Sequence, residues 1–405
     1  MAIIREICID GFKSIWSETI ELGQLNVFLG TNGAGKSNLL EAIAMVSSSL
    51  EGGIDYERLA RRGSRLSSPE IFRSAFKGKD RRHTFKLGMS IGDVHYNMSV
   101  RSVNTFSYFS ESIKHKNKII AGRSNNGATL LGNSFNSKLD PKKSIFPFLQ
   151  SIRPKEADDN EELPADLLTK VEKFAIYSPS TPILRGIAAD SSSKAPLGIY
   201  GGRLAEALKE VINEKNSLPD LRRFFRLLDW FKTIGTTSDT EQALISEHVN
   251  LGRIKLKYED NYMKSTFNKL YAYDVSEGAL FVLFVLVLLI HRESPPIFAL
   301  DNIDNALNPG LVSNLMSHIV QILKDNPEKQ IMLTTHNPST LDGIDLFNDS
   351  HRLFIVERNE EGHTKCRRIA PPDGMTKEEW EEKYFGMKLS EIWLSGAIGG
   401  MPTGF

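Results

Sequence analysis

Cysteine is nearly absent: Cys8 and Cys366 are the two in a chain of 405 residues. Two thiols so far apart make no disulfide framework and lack the spacing of a zinc site. Net charge is absent too, because 50 Lys and Arg balance 50 Asp and Glu. That excludes bulk electrostatic capture of nucleic acid or membrane, but not a local basic patch. Long apolar runs are missing. The longest, Ala279 to Ile290, is twelve residues, against about 20 for a membrane span. It reads as a helix buried in a globular domain. The N-terminal run carries Arg5, Glu6 and Asp10, which excludes a signal peptide. No internal repeat and no sustained heptad appear. The expectation is a cytoplasmic chain with no membrane contact and two inert thiols.

What is present is an alternation of short apolar strands and helices. Residues 2–9 and 25–29 read as strands, the second continuous and apolar, as a doubly covered strand should be. A helix follows over 38–49. Residues 83–110 alternate around Gly92-Asp93, which predicts an antiparallel hairpin. Residues 101–150 hold eight Lys and Arg against Glu111 and Asp140, a surplus of six. Their Ser, Asn and Gly content reads as a solvated loop region, with contact to nucleic acid as the alternative. An acidic linker is expected over 153–166 and helices over 203–234. After residue 252 the pattern becomes helix 276–291, strand 297–300, helix 309–324 and strand 331–335, implying a mostly parallel sheet. A hairpin (352–357, 364–369) and a glycine-rich tail close the chain.

Gly30-Thr-Asn32-Gly33-Ala34-Gly35-Lys36-Ser37 fits G-x-x-x-x-G-K-[ST]. Glycines let backbone N–H groups turn around phosphate oxygens, and the helix N-terminus faces the same anion. Lys36 is placed for the β- and γ-phosphates of ATP, and Ser37 for Mg²⁺. A strand before and a helix after supply the context this motif needs. A second Mg²⁺ ligand is expected at the end of a neighbouring strand, and Ile297-Phe-Ala-Leu-Asp301 provides one. The next residue, where a water-activating Glu is usual, is Asn302. An amide accepts no proton as a carboxylate does. Three outcomes stay open: slow hydrolysis, a substitute base with Asp304 the nearest candidate, or no turnover. Ser276 and Gly278 open the apolar helix and offer a second phosphate-binding surface. His336, in Thr-Thr-His-Asn-Pro, ends a strand where open α/β sheets bind ligands.

These elements in this order resemble the heads of ABC-type ATPases. The similarity is to the branch holding RecF-like proteins, structural-maintenance-of-chromosomes heads and the ATPase parts of OLD-family and related bacterial anti-phage proteins. It rests on Ile7, Ile9, Gly11, Phe12, Lys13 and Ser14, on the phosphate loop through Asn38 and Glu41, on 300–309, and on 334–338. The resemblance covers about 1–100 and 270–358. In it Asn302 stands for the catalytic Glu, and Asn308 for an Asp of the loop crossing a dimer interface. A glutamine loop is not evident, Gln150 being the candidate.

The resemblance implies an α/β P-loop NTPase fold of ABC-ATPase type, with a mixed sheet, an antiparallel β-subdomain and a helical insertion. Expected boundaries are 1–100 and 252–358 for the split ATPase domain, 101–251 for an insertion, and 359–405 for the tail. It also implies a homodimer or higher oligomer sandwiching ATP between one P-loop and the partner's Ser276 segment. With Asn302 in place of Glu, closure should persist. That suits a sensor or scaffold in an anti-phage complex with a separately encoded effector. A RecF-like DNA-repair ATPase that binds DNA directly, and a non-hydrolysing scaffold, are the alternatives.

Overall fold

The computed structural model describes residues 4–124, 126–135, 139–151, 164–192, 194–214, 219, 221, 227–241, 244–246 and 252–399. These form two compact units. One comprises Met1–Ile176, Pro295–Asp301 and Asn326–Phe405, the other Tyr177–Ser294 and Asn302–Asp325.

The first unit is built on two sheets. The phosphate-loop sheet runs in the order β10-β14-β15-β3-β16-β17. Its members are β3 (Leu25–Leu29), β10 (Ile176–Tyr177), β14 (Ile297–Leu300), β15 (Gln330–Thr335), β16 (His351–Arg358) and β17 (Thr364–Ile369). β14, β15, β3 and β16 pair in parallel, and β17 closes the edge antiparallel. β3, β14 and β15 are buried at every position, so their runs are continuous rather than alternating. The buried amide of Asn26 in β3 is satisfied by the carbonyls of Gly23 at 2.9 Å and Ile331 at 3.2 Å.

The other sheet is antiparallel, in the order β2-β1-β4-β5-β6-β7-β8-β9. It comprises β1 (Glu6–Phe12), β2 (Ile15–Glu21), β4 (Thr84–Ile91), β5 (Val94–Val103), β6 (Thr105–His115), β7 (Lys118–Ser124), β8 (Gly127–Leu130) and β9 (Asn133–Phe135). The expected hairpin is therefore β4–β5, with Gly92 at φ 56° in its turn. The expected loop region beyond 101 is instead strand: β5 crosses residue 100 and four more strands follow. Alternation continues inward through Phe106, Tyr108 and Ile113. It is broken by bulges at Ser99/Val100 and Ile113/Lys114 and by an inward carboxylate, Glu111. Glu111 accepts from Tyr96 at 2.8 Å, Ser144 at 2.5 Å and the Ile145 N–H at 2.9 Å.

Helix α1 (Lys36–Glu51) leaves the end of β3 and is buried along most of its length. Its Ser49 hydroxyl bonds the phenols of Tyr96 and Tyr108, each at 2.5 Å, which pins the helix to the antiparallel sheet.

In the second unit, α2 (Glu277–Ile290) is buried from Ala279 to Leu289. Apolar on all sides, it is the interior helix its sequence implies. Among the described residues no helix is long and apolar enough to cross a membrane. α3 (Pro309–Asp325) follows a turn, and Asn308 caps it by accepting from the Leu311 N–H at 2.9 Å.

The helical reading of 203–234 holds for Leu204–Asn213. Its second helix falls largely on residues outside the described set. From Phe231 the chain is a strand, β11 (Phe231–Thr237), paired with β12 (Lys255–Asp260), which pairs with β13 (Lys269–Tyr271). Thr233, Ile234, Thr236 and Thr237 are the β-branched residues that favour this state. Most of the acidic linker, with Asp158, Asp159, Glu161 and Glu162, also lies outside the described residues, as do 1–3 of the first strand.

Candidate functional site

The C-terminal ends of three parallel neighbours, β3, β14 and β15, bring the predicted residues of the first unit together. β3 delivers the phosphate loop, with Gly33 at φ 79° and Gly35 at φ 111°. Both lie in the left-handed region that side chains disfavour. Asn32 and Gly33 are exposed while Ala34 and Lys36 are buried. The Lys36 ammonium donates to the carbonyls of Gly30 at 2.7 Å and Thr31 at 3.0 Å.

β14 ends on Asp301. Its carboxylate accepts from the Ser37 hydroxyl at 3.1 Å and from Thr334 of β15 at 2.5 Å. His336 directly follows the end of β15 and is exposed. His336 Nδ1 lies 2.9 Å from Gly30 O. A carbonyl only accepts, so this contact assigns the ring proton to Nδ1. The ammonium of Lys36 lies against the same ring, 3.2 Å from Nδ1 and 3.4 Å from Nε2.

The donor set suits a phosphate and a hard divalent cation. A lysine, a helix N-terminus and left-handed glycines form an anion cradle. A serine hydroxyl and one carboxylate on facing oxygens are what Mg²⁺ uses when it keeps most of its waters.

A group that motif reading did not assign a role surrounds the loop. Lys13 and Arg65 both pair with Glu41 of α1, Arg65 Nε lying 2.8 Å from Glu41 Oε1. Arg65 Nη2 also donates to Asn38 Oδ1 at 2.6 Å. Burial alone would raise the Glu41 carboxyl, but hydrogen bonds and charges from Arg65 and Lys13 hold it below its ordinary range. Burial pushes the Lys13 ammonium down despite Glu41. Lys13 and Glu41 are visible in the sequence only through the family resemblance, and Arg65 carries no local signal at all. Thr334 is legible only as part of Thr-Thr-His.

The remaining predicted residues, Gln150 of the first unit apart, belong to the second unit. Ser276 caps α2, its hydroxyl accepting from the Ala279 N–H at 3.4 Å. A side chain at Gly278 would press on the carbonyl of Ala306, 3.0 Å from an added Cβ. Glycine there lets the start of α2 approach the 302–307 turn. In that turn Asn302 is exposed with φ 59°, and one carboxylate oxygen of Asp304 is buried with no hydrogen-bond partner among the described residues. Gln150 closes the short helix Phe146–Gln150, its amide donating to Thr169 at 3.1 Å and Glu172 at 3.3 Å.

The family model described as "AAA domain, putative AbiEii toxin, Type IV TA system" matches residues 25–342. The chain belongs to this AAA family. The matched span runs from β3 past His336 and so includes every residue of the predicted constellation. A solved Smc head bound to the C-winged helix domain of ScpA is similar to this AAA chain. It is 14% identical, with a TM-score of 0.54, and covers 92% of this chain and 100% of its own. An Smc head with an extended coiled coil, bound to the C-terminal domain of ScpA from Pyrococcus furiosus, is 13% identical at TM-score 0.54, covering 95% and 100%. At these identities the likeness is one of fold, that of the Smc head domains. No curated protein matches the chain.

Proposed function

We propose that the chain is an ATP-binding, slowly hydrolysing switch that closes as a head-to-head dimer when ATP is bound. The observation that carries this reading is the meeting of Lys36, Ser37, Asp301, Thr334 and His336 at the ends of β3, β14 and β15. Lys36 and the loop amides would take the β- and γ-phosphates, and His336 would reach the γ-phosphate. Ser37 and Asp301 would hold Mg²⁺, which when bound offsets phosphate charge. Thr334 orients the Asp301 carboxylate. Ser276 and Gly278, at the N-terminus of a 14-residue helix, are suited to meet the γ-phosphate held by a second copy.

Asn302 can orient a water but cannot take its proton, so turnover is slow and closure outlasts it. Asp304, with an unpartnered carboxylate oxygen, is the substitute base where hydrolysis occurs. A long-lived closed state biased by γ-phosphate contacts is the behaviour of a sensor or scaffold. The family's description, "putative AbiEii toxin, Type IV TA system", is in keeping with a bacterial defence role, and the reading adds a separate effector.

The deciding experiment measures ATP-dependent dimerisation and phosphate release for wild type, Lys36→Ala and Asn302→Glu. Dimerisation with ATP that Lys36→Ala loses supports the switch. Dimerisation with no phosphate release at any protein concentration selects the non-hydrolysing scaffold.

Direct nucleic-acid binding is favoured by one feature, the β6–β7 turn, where Lys114, His115, Lys116 and Lys118 cluster. Arg123, counted with the basic surplus, is instead buried, bonding the carbonyls of Asp140 at 2.8 Å and Lys143 at 2.6 Å. DNA affinity that falls with salt and with neutralisation of those three lysines supports the RecF-like alternative.

A further inference from the structure

The C-terminal hairpin β16–β17 grips the phosphate loop at three successive places. The backbone of β16 comes so close to the loop that a side chain at Gly30 would strike the Val356 carbonyl. Arg358, the last residue of β16, donates from Nε to Gly33 O at 3.1 Å and from Nη1 to Gly362 O at 2.5 Å. Thr364, the first residue of β17 and fully buried, donates from Oγ1 to Ala34 O at 2.7 Å. A Cβ on Gly35 would occupy the position of that hydroxyl.

The Thr364 hydroxyl is oriented by a one-way chain. Asn38 Nδ2 can only donate and does so to Ser14 Oγ at 2.6 Å. Ser14 Oγ lies 2.7 Å from Thr364 Oγ1. Ala34 O can only accept. The two hydroxyl protons therefore run in one order, Ser14 to Thr364 to Ala34. Arg65 fixes the start of the chain by holding Asn38 Oδ1. The hairpin end is itself held. His363 stacks on Trp16 (5.6 Å between centroids, 12° between planes) and meets Phe76 edge-on at 4.3 Å. The Thr364 N–H donates to Ser14 O at 2.7 Å.

We propose that Thr364, seconded by Arg358, is a positioning residue of the phosphate site. The proposal rests on the nucleotide-binding reading above. The physical reason is the planar trans peptide, whose C=O and N–H point opposite ways. Holding Ala34 O against the hairpin turns the Gly35 N–H away from it, toward the inside of the loop where phosphate oxygens bind. Arg358 holds the preceding peptide through Gly33 O. The N–H of that peptide, on Ala34, closes the loop's own turn by donating to Thr31 O at 3.3 Å, so Arg358 fixes the shape of the loop rather than a second inward donor. Loss of the Thr364 hydroxyl frees the Ala34–Gly35 peptide to rotate, and the cradle loses a preorganised donor.

The test compares Thr364→Val, which keeps the shape but not the donor, with Thr364→Ser, which keeps the donor. Arg358→Met, at an exposed position, needs no change in the core. A fluorescent ATP analogue gives affinity, and thermal melting reports the fold separately. Thr364→Val is expected to bind roughly tenfold more weakly, the effect of one lost hydrogen bond that matters to binding. Thr364→Ser should stay near wild type, and Arg358→Met should lose a few-fold. A merely structural role lowers the melting temperature and leaves the affinity of folded protein unchanged. Wild-type affinity in Thr364→Val overturns the proposal, as does equal loss in Thr364→Ser. Should Thr364→Val not fold, wild-type affinity in Arg358→Met overturns it. Lys36→Ala is the control: if it binds ATP as wild type does, the nucleotide reading itself fails, and this proposal with it.

Discussion

Asn302 occupies a left-handed backbone conformation, φ 59°, directly after the Asp301 carboxylate. Among side chains asparagine tolerates that region best, and glutamate costs about 1 kcal/mol more there. The residue proposed to weaken catalysis is therefore also the one its turn prefers. Asn302→Glu is expected to raise the rate of phosphate release and slightly lower the melting temperature. Unchanged turnover would show that position 302 is not limiting.

Glu41 makes a second residue-scale prediction. Its folded carboxyl lies below its ordinary value, so its stabilising contribution is complete above the unfolded pKa of about 4.3. That contribution is lost as pH falls through the lower folded value. Melting temperature against pH should drop there in wild type, and Glu41→Gln should lack that part of the drop. Gly35-Lys36-Ser37 was legible because its chemistry is written in adjacent letters. Arg65 was not, because its partner lies 24 residues away and only the fold joins them.

At the scale of elements, the parallel strands and α2 were readable since each is a short, unbroken apolar run. The β6–β9 region was not. β6 turns a carboxylate inward, and a bulge in each of its two pairings, at Phe109 on β6 itself and at Ile120 on β7, shifts the alternation by one residue. A charged residue at a core position reads as loop until its acceptor role is seen. Glu111→Ala would leave the Tyr96, Ser144 and Ile145 donors without their acceptor. The expected cost is on the order of 3 kcal/mol, read as a lower urea midpoint with little change in slope. The same sheet explains why the positive surplus of 101–150 is not one basic patch. Part of it is structural, as Arg123 shows, part gathers at the β6–β7 turn, and Lys142 and Lys143 lie outside the strands. Asn308, read as a departure from the family's interface loop, has a local function as the cap of α3.

For the whole molecule, the neutral net charge and the ordered motifs suit the proposed switch, driven by nucleotide rather than by bulk electrostatics. ATP should convert wild type to a dimer in sedimentation experiments, and Lys36→Ala should remain a monomer with ATP. In the proposed sandwich a single mutation is enough to separate the heads, because phosphate is needed at both loops. The most direct measurement is calorimetric titration of Mg-ATP into wild type and Lys36→Ala. The account predicts saturable binding by wild type and a loss of at least tenfold in Lys36→Ala, which removes the one ammonium inside the phosphate loop. Equal affinity in the two proteins would contradict it.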